Sequence, residues 1–287
     1  MPTNPTLSID TTFTMNDGQT IPLLGFGVFR LAPGDEGKRA IDAALDAGYR
    51  HIDTAAVYGN EEQVGSAIRA SSVKREELFI TTKCWIDSFG KQETRKACED
   101  SLRRLGMEYI DLYLVHWPVN GRMIDAWETM KCLRDEGKCR SIGVSNFSIR
   151  RFEDDLWPHV DAAIKPAVNQ IEWHPFCYDP EIASYLAKNN IAIQAYAPLT
   201  RAAKFGHPKV KHLAENHNRP ASQILLRWQL QHGWIILPKS STPSRIRENA
   251  DLYDFSLTRA EMNELDQIHA TTPTYHVSNW RPSQPWY

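Results

Sequence analysis

No apolar run in this chain approaches the roughly 18 residues that a membrane-spanning helix needs, so a helical membrane protein is not indicated. Neither sign of charge dominates. Thirty-three Lys and Arg stand against 35 Asp and Glu, a formal net charge of -2, and no dense basic stripe offers a footprint for a nucleic-acid backbone. Duplex binding as the main role is disfavoured. Cysteine is sparse: Cys84, Cys98, Cys132, Cys139 and Cys177 are odd in number and scattered, with no Cys-x-x-Cys. That excludes a disulfide frame or zinc ribbon as the organising principle and suits a reducing compartment. Met1–Asp10 has neither the basic region nor the apolar core of a secretory signal, and the expectation is a soluble cytoplasmic protein, as a monomer by default.

Two motifs are also missing. No Gly-x-Ser-x-Gly elbow appears, so a serine hydrolase is not indicated. Gly25-Phe26-Gly27 is followed by Val28-Phe29-Arg30, so the third glycine of a dinucleotide fingerprint is absent and the pair reads as a tight strand–loop junction.

What is present is a repeating order. Thr12–Met15 and Gln19–Ile21 flank Asn16-Asp17-Gly18, a hairpin signal because glycine accepts the positive φ of such a turn. Short apolar runs then alternate with longer amphipathic segments. Strands are predicted at Leu23–Val28, His51–Asp53, Leu78–Lys83, Ile110–His116, Ser141–Ser145, Ala167–Glu172, Ile191–Ala197 and Trp234–Pro238. Helices are predicted at Glu36–Ala47, Gln92–Leu105, Met123–Glu136, Asp179–Lys188 and Ser222–Gln231, the last with Ile224, Leu225, Trp228 and Leu230 as a buried stripe. Eight βα units without a linker favour closure into one (β/α)8 TIM barrel, and 287 residues suit a single domain over 1–287, since such a barrel takes about 250. Two additional helices, Ser244–Leu252 and Thr258–Ile268, and an irregular C-terminal tail, Thr271–Tyr287, complete the α/β fold. The tail carries Tyr275, Trp280, Trp286 and Tyr287, which need an apolar surface to cover; the barrel mouth and the outer wall are both open to it.

Barrel active sites lie at the C-terminal ends of the strands. Asp53 ends the second predicted strand, Tyr58 follows it, Lys83 ends the third and His116 the fourth. Taken singly, each fits a structural role: a helix cap, core, a snorkelling lysine, a satisfied buried histidine. Together they suit proton donation to an oxygen that is gaining negative charge, as in carbonyl reduction. A nearby ammonium favours phenolate, so Lys83 is expected to lower the pKa of Tyr58, with Asp53 as its counter-charge and His116 orienting the substrate oxygen. The hydride has to come from a nicotinamide cofactor. Pro238-Lys239-Ser240-Ser241-Thr242, just ahead of a helix carrying Arg245, is a phosphate cradle of lysine, hydroxyls, arginine and helix N-terminus. A metal site built from His51, Asp53, His116 and His174 is disfavoured, and the glycosylation sequon at Asn146-Phe147-Ser148 reads as incidental.

Gly48-Tyr49-Arg50-His51-Ile52-Asp53-Thr54-Ala55, Tyr58-Gly59-Asn60-Glu61, Leu114-Val115-His116-Trp117-Pro118, Gly143-Val144-Ser145-Asn146-Phe147, Asn169-Gln170 and Ile236-Leu237-Pro238-Lys239-Ser240 resemble the signature segments of the aldo-keto reductase family. The resemblance runs from Leu24 nearly to the end of the chain. It implies an NADPH-dependent reductase of aldehydes and ketones on a (β/α)8 barrel with a hairpin closing its bottom. Tyr58 would be the general acid, Lys83 and Asp53 its tuning pair. The resemblance further implies that Ser145, Asn146 and Gln170 hold the carboxamide and Tyr196 stacks on the nicotinamide. It assigns Leu199, Lys239, Ser240, Ser241, Thr242, Arg245, Glu248 and Asn249 to the cofactor, with 2′-phosphate preference resting on Lys239 and Arg245. Where many members read Ala-Tyr-Ser-Pro-Leu-Gly, this chain has Ala195-Tyr196-Ala197-Pro198-Leu199-Thr200-Arg201. Arg201 either pairs with the pyrophosphate in compensation or stays solvated. Phe29, Trp85 and Trp117, with His116, are expected to line the substrate mouth, which favours carbonyls with an apolar body; Arg281 is the one residue suspected for a substrate carboxylate. A non-catalytic NADPH-binding sensor subunit or structural protein of the same fold remains the alternative.

Overall fold

The computed structural model describes residues 7–119, 121–160 and 164–269. The C-terminal tail, with its aromatic residues and Arg281, lies outside them.

The Asn-Asp-Gly turn joins β1 (Thr12–Thr14) to β2 (Thr20–Pro22), paired antiparallel with Phe13 opposite Ile21. Gly18 takes the left-handed conformation that the turn demands, at φ 84°. Ile21 is fully buried, and Asn16 Nδ2 donates to the Pro166 carbonyl just ahead of a barrel strand, which pins the hairpin across the N-terminal ends of the barrel.

Eight parallel strands follow: β3 (Phe26–Gly27), β4 (His51–Asp53), β5 (Phe79–Cys84), β6 (Ile110–Val115), β7 (Cys139–Ser145), β8 (Val168–Glu172), β9 (Ala192–Tyr196) and β10 (Ile235–Leu237). Each pairs with the next in sequence order. The register sets Asp53 opposite Thr81, Lys83 opposite Leu114 and Ser145 opposite Gln170. The first predicted strand shrinks to two residues for a geometric reason. Phe26 and Gly27 pair with β4, while Leu23 and Gly25 bond to Ile236 on the other edge, across a parallel bridge between Leu24 and Ile236. Those bonds bring the two ends of the sheet together and nearly close the barrel. β5 and β6 are buried along their whole length because helices cover the sheet outside and side chains fill it inside.

The helices are α1 (Asp35–Asp46), α2 (Glu61–Ala70), α3 (Lys91–Leu105), α4 (Met123–Asp135), α5 (Pro180–Lys188), α6 (Pro208–His217), α7 (Ala221–Gln231), α8 (Pro243–Ala250) and α9 (Arg259–Asp266). Asp179 caps α5 by accepting from the Glu181 and Ile182 amides, and Thr258 and Glu261 form a reciprocal box that starts α9. The predicted stripe of α7 is buried throughout. One crossover departs from the expected pattern: between β7 and β8 the chain makes a wide π turn at Arg151–Leu156 and a 3-10 turn at Trp157–His159. No helix among the described residues is long and apolar enough to cross a membrane.

Candidate active site

Alternation along a strand sends every second side chain into the barrel. In β4 these are His51 and Asp53, in β5 Thr81 and Lys83, in β8 Gln170 and in β9 Gln194, all buried. The predicted site residues Asp53 and Lys83 therefore sit in one interior layer near the C-terminal ends. Lys83 Nζ donates to Asp53 Oδ1 at 2.7 Å and to the Thr54 carbonyl at 2.7 Å.

Tyr58 reaches this pair from a single 3-10 turn, Ala56–Tyr58, that Gly59 ends in a left-handed conformation. Asn60 fixes the turn: its Oδ1 accepts from Thr54 Oγ1 at 2.7 Å and its Nδ2 donates to the Val28 carbonyl at 2.8 Å. Behind it, fully buried Glu61 accepts from Thr82 Oγ1 at 2.6 Å and from Arg104 Nε at 2.7 Å, which ties α2 to β5 and α3. Lys83 Nζ lies 3.5 Å from the Tyr58 hydroxyl and 5.0 Å from its ring centre. His116, the residue after β6, presents its ring edge-on to Tyr58 at 5.7 Å and to Trp85 at 5.0 Å. The four sequence-predicted residues thus meet. Phe29 packs 4.9 Å from Tyr58 and is 36% exposed, Trp85 is half-buried, and Trp117 is buried.

Electrostatics correct one expectation. Burial pushes the Tyr58 phenol well above its usual range, and the charge of Asp53 and the neighbouring Tyr196 push the same way. The expected lowering by Lys83 is outweighed. Burial raises Asp53, opposed by Lys83 and by the hydrogen bond from Gln170, and it lowers Lys83, opposed by Asp53 and Glu61. His116 is held well below its ordinary value by burial and by the Lys83 charge. These directions favour a protonated phenol and a neutral imidazole, set beside the buried Lys83–Asp53 pair that the geometry holds at 2.7 Å. The site can give a proton and then stabilise the phenolate left behind.

The residues expected around a carboxamide form a linked polar shelf. Ser145 Oγ donates to the Gln170 carbonyl at 2.8 Å, and left-handed Asn146 (φ 66°) donates to the His116 carbonyl at 3.0 Å. Tyr196 donates its hydroxyl to Asn146 Oδ1 at 2.9 Å. Gln170 Nε2 donates to Asp53 Oδ2 at 2.6 Å and to Gln194 Oε1 at 2.7 Å.

Lys239, Ser240, Ser241 and Thr242 join β10 to α8, whose Arg245 is exposed. Among the described residues neither Lys239 nor Arg245 has a carboxylate within ion-pairing distance, so two cations at a helix N-terminus suit an anionic phosphate. Burial lowers the Lys239 pKa, Glu36 opposes that, and the positive charge of Arg30 adds to it. Glu248 accepts from Ser222, which ties α8 to α7, and Asn249 is buried. Leu199 packs against the core, and the next three residues, Thr200, Arg201 and Ala202, are all left-handed at φ 53°, 51° and 64°. Arg201 is exposed and without an ion pair to a described residue.

Sequence reasoning missed the support of the site: Thr54, the Glu61–Arg104 pair and Gln194. A signal existed for the last, because Gln194 is the polar residue inside an apolar strand, two places before Tyr196 and hence on the same interior face.

The profile of the aldo/keto reductase family matches residues 23–270. The glyoxal reductase of Bacillus subtilis (strain 168) is 42% identical over 262 residues, 91% of this chain and 94% of that protein. The 9,11-endoperoxide prostaglandin H2 reductase of Trypanosoma cruzi (strain CL Brener) is 40% identical over 259 residues, 89% of this chain and 90% of that one. A crystal structure of an aldo/keto reductase from Brucella melitensis superposes with a TM-score of 0.85 at 42% identity, over 90% of this chain and 99% of that chain.

Proposed function

The chain belongs to the aldo-keto reductase family, and from that membership and the geometry at the strand ends we propose that it reduces aldehydes and ketones with NADPH, using Tyr58 as general acid. Members of the family are oxidoreductases that act on small carbonyl compounds with a nicotinamide cofactor. The observation that carries the finer reading is the Tyr58 hydroxyl beside the Lys83 ammonium, itself ion-paired to Asp53.

The nicotinamide supplies the hydride when bound. Tyr58 gives its proton to the carbonyl oxygen as charge develops there. Lys83, already aimed at that hydroxyl, stabilises the phenolate, and Asp53 keeps the ammonium charged in a buried place. Neutral His116 orients the carbonyl oxygen. Ser145, Asn146 and Gln170 supply amide and hydroxyl partners for the carboxamide, and Tyr196 offers its ring face. Lys239 and Arg245, free of carboxylate partners among the described residues, take the 2′-phosphate and give NADPH its preference over NADH. The free thiols of all five cysteines suit the reducing cytosol.

Phe29 and Trp85 beside the acid favour substrates with an apolar body. The test is NADPH oxidation at 340 nm with an aromatic aldehyde, an aliphatic aldehyde, glyoxal, a cyclic ketone and a keto-sugar acid. Turnover is expected, with the aromatic aldehyde ahead of the keto-sugar acid. No turnover of any of them, with NADPH still quenching tryptophan fluorescence, would contradict the reading and favour a sensor role.

A further inference from the structure

Below the acid/base residues, buried polar groups form a chain down the barrel axis. Gln170 Nε2 donates to the Asp53 carboxylate at 2.6 Å, and a carboxylate only accepts, so the orientation of this amide is fixed. Both Gln170 amide hydrogens are then used, the second on Gln194 Oε1 at 2.7 Å. Gln194 must in turn donate from Nε2, and it faces His51 Nε2 at 3.3 Å. Facing the Gln194 amide N–H, that nitrogen accepts, which leaves the imidazole neutral with its proton on Nδ1; the Thr81 hydroxyl stands 3.1 Å from the same nitrogen. Burial holds His51 down to about 3, in agreement with a permanently neutral ring. Gly25 is part of the arrangement: a Cβ there would stand 2.6 Å from His51 Nδ1, so the glycine makes room for the ring.

We propose that Gln194, oriented by His51 and Thr81, is a positioning residue for the acid/base site, holding the Gln170 amide so that its N–H stays on Asp53. This rests on the reading of Tyr58, Lys83 and Asp53 given above. The hydrogen bond from Gln170 favours the ionised carboxylate, so losing it makes Asp53 take up a proton at higher pH and leaves Lys83 without its counter-charge. The titratable groups that face this pair are Tyr58 from the turn after β4, His51 from below, Glu61 from α2 and His116 from the end of β6, with Tyr196 of β9 beside Tyr58.

The test compares the pH dependence of kcat/KM for NADPH-driven carbonyl reduction in wild type, Gln194→Met, Gln194→Glu and Tyr58→Phe, with NADPH quenching of tryptophan fluorescence as the check that each variant is folded and binds cofactor. Methionine has the shape of glutamine but no acceptor. The acidic limb of Gln194→Met is expected to rise by about one pH unit, the effect of one charge-assisted hydrogen bond, with kcat/KM about tenfold low near the limb and close to wild type at alkaline pH. Glutamate keeps the acceptor for Gln170 and shares a proton with His51 in place of the lost amide N–H, so Gln194→Glu keeps the wild-type limb. An unmoved limb in Gln194→Met, or an equal pH-independent loss in both variants, overturns the proposal. If Gln194→Met fails to fold, Gln194→Leu, which also lacks the acceptor for Gln170, decides in its place: an acidic limb raised by about one unit supports the proposal and an unmoved one overturns it. Turnover by Tyr58→Phe at the wild-type rate would instead overturn the underlying reading, and the positioning role with it.

Discussion

Replacing Asp53 by Asn isolates what the buried ion pair does. Asparagine keeps the shape and an oxygen for Lys83, but it removes the negative charge 2.7 Å from an ammonium with no exposed surface. Lys83 then has to stay charged without a partner or release its proton. Release is the cheaper course, and its cost can be worked out. At pH 7 it is about 1.4 kcal/mol for each of the roughly 3.5 pH units below the ordinary lysine value of 10.5, or about 5 kcal/mol. That is the upper end of the ~3–5 kcal/mol measured when buried pairs lose one member. The sign follows from proton counting. The unfolded variant holds a proton on Lys83 that the folded variant lacks, so its stability relative to wild type rises with pH, by about 1.4 kcal/mol per unit, until the unfolded lysine itself titrates. Guanidinium unfolding of both proteins at pH 7.0 and 8.5 should show a deficit shrinking from about 5 to about 3 kcal/mol. A deficit of the same size at both pH values would refute the reasoning, because it would mean that Lys83 remains charged without Asp53.

Other perturbations follow from the same geometry. His51, lowered to about 3 by burial, takes up a proton below its ordinary 6.5 only in the unfolded chain; its contribution to stability is therefore present above about pH 6.5 and is lost as pH falls toward 3. Between pH 7 and pH 5 this amounts to about 2 kcal/mol, and His51→Asn should lack that part of the pH dependence in urea unfolding. Lys239→Met and Arg245→Leu should each weaken NADPH about ten- to a hundredfold in fluorescence titrations while changing NADH little, since each removes one charge-assisted contact to a phosphate that NADH does not carry. Equal losses for both cofactors would remove these two residues from the 2′-phosphate.

The elements that the sequence made legible are those with a strict period or a local turn chemistry. The Asn-Asp-Gly hairpin, the stripe of α7 and the strands at His51–Asp53 and Ser141–Ser145 needed no partner to be recognised. The candidate site residues could be picked out for a related reason: each ends or follows a strand, and the barrel turns that position into one mouth. What escaped depends on contacts distant along the chain. The first strand is short because both its edges are shared between β4 and the Leu23–Gly25 bonds to Ile236, and only closure reveals that. The π turn at Arg151–Leu156 replaces a crossover helix without any proline or glycine to mark it. The Tyr58 phenol was expected to shift down because a lysine is near, but burial and Asp53 act on it more strongly, and burial is not read from spacing. Gln194 escaped because its importance lies in the direction of one amide, set by a histidine on β4 and, through Gln170 of β8, by a carboxylate also on β4.

The most direct test of the account is single-turnover reduction by Tyr58→Phe. Enzyme loaded with NADPH is mixed with excess aromatic aldehyde, and the loss of cofactor absorbance at 340 nm is followed by stopped flow, with NADPH affinity measured separately by tryptophan quenching. Phenylalanine keeps the ring against Phe29 and His116 and removes only the hydroxyl beside Lys83. The prediction is unchanged NADPH affinity and a hydride-transfer phase slowed by about a thousandfold or more, the size of a general-acid contribution. A phase at the wild-type rate, with substrate reduced to alcohol, would contradict the assignment of Tyr58 as the proton donor.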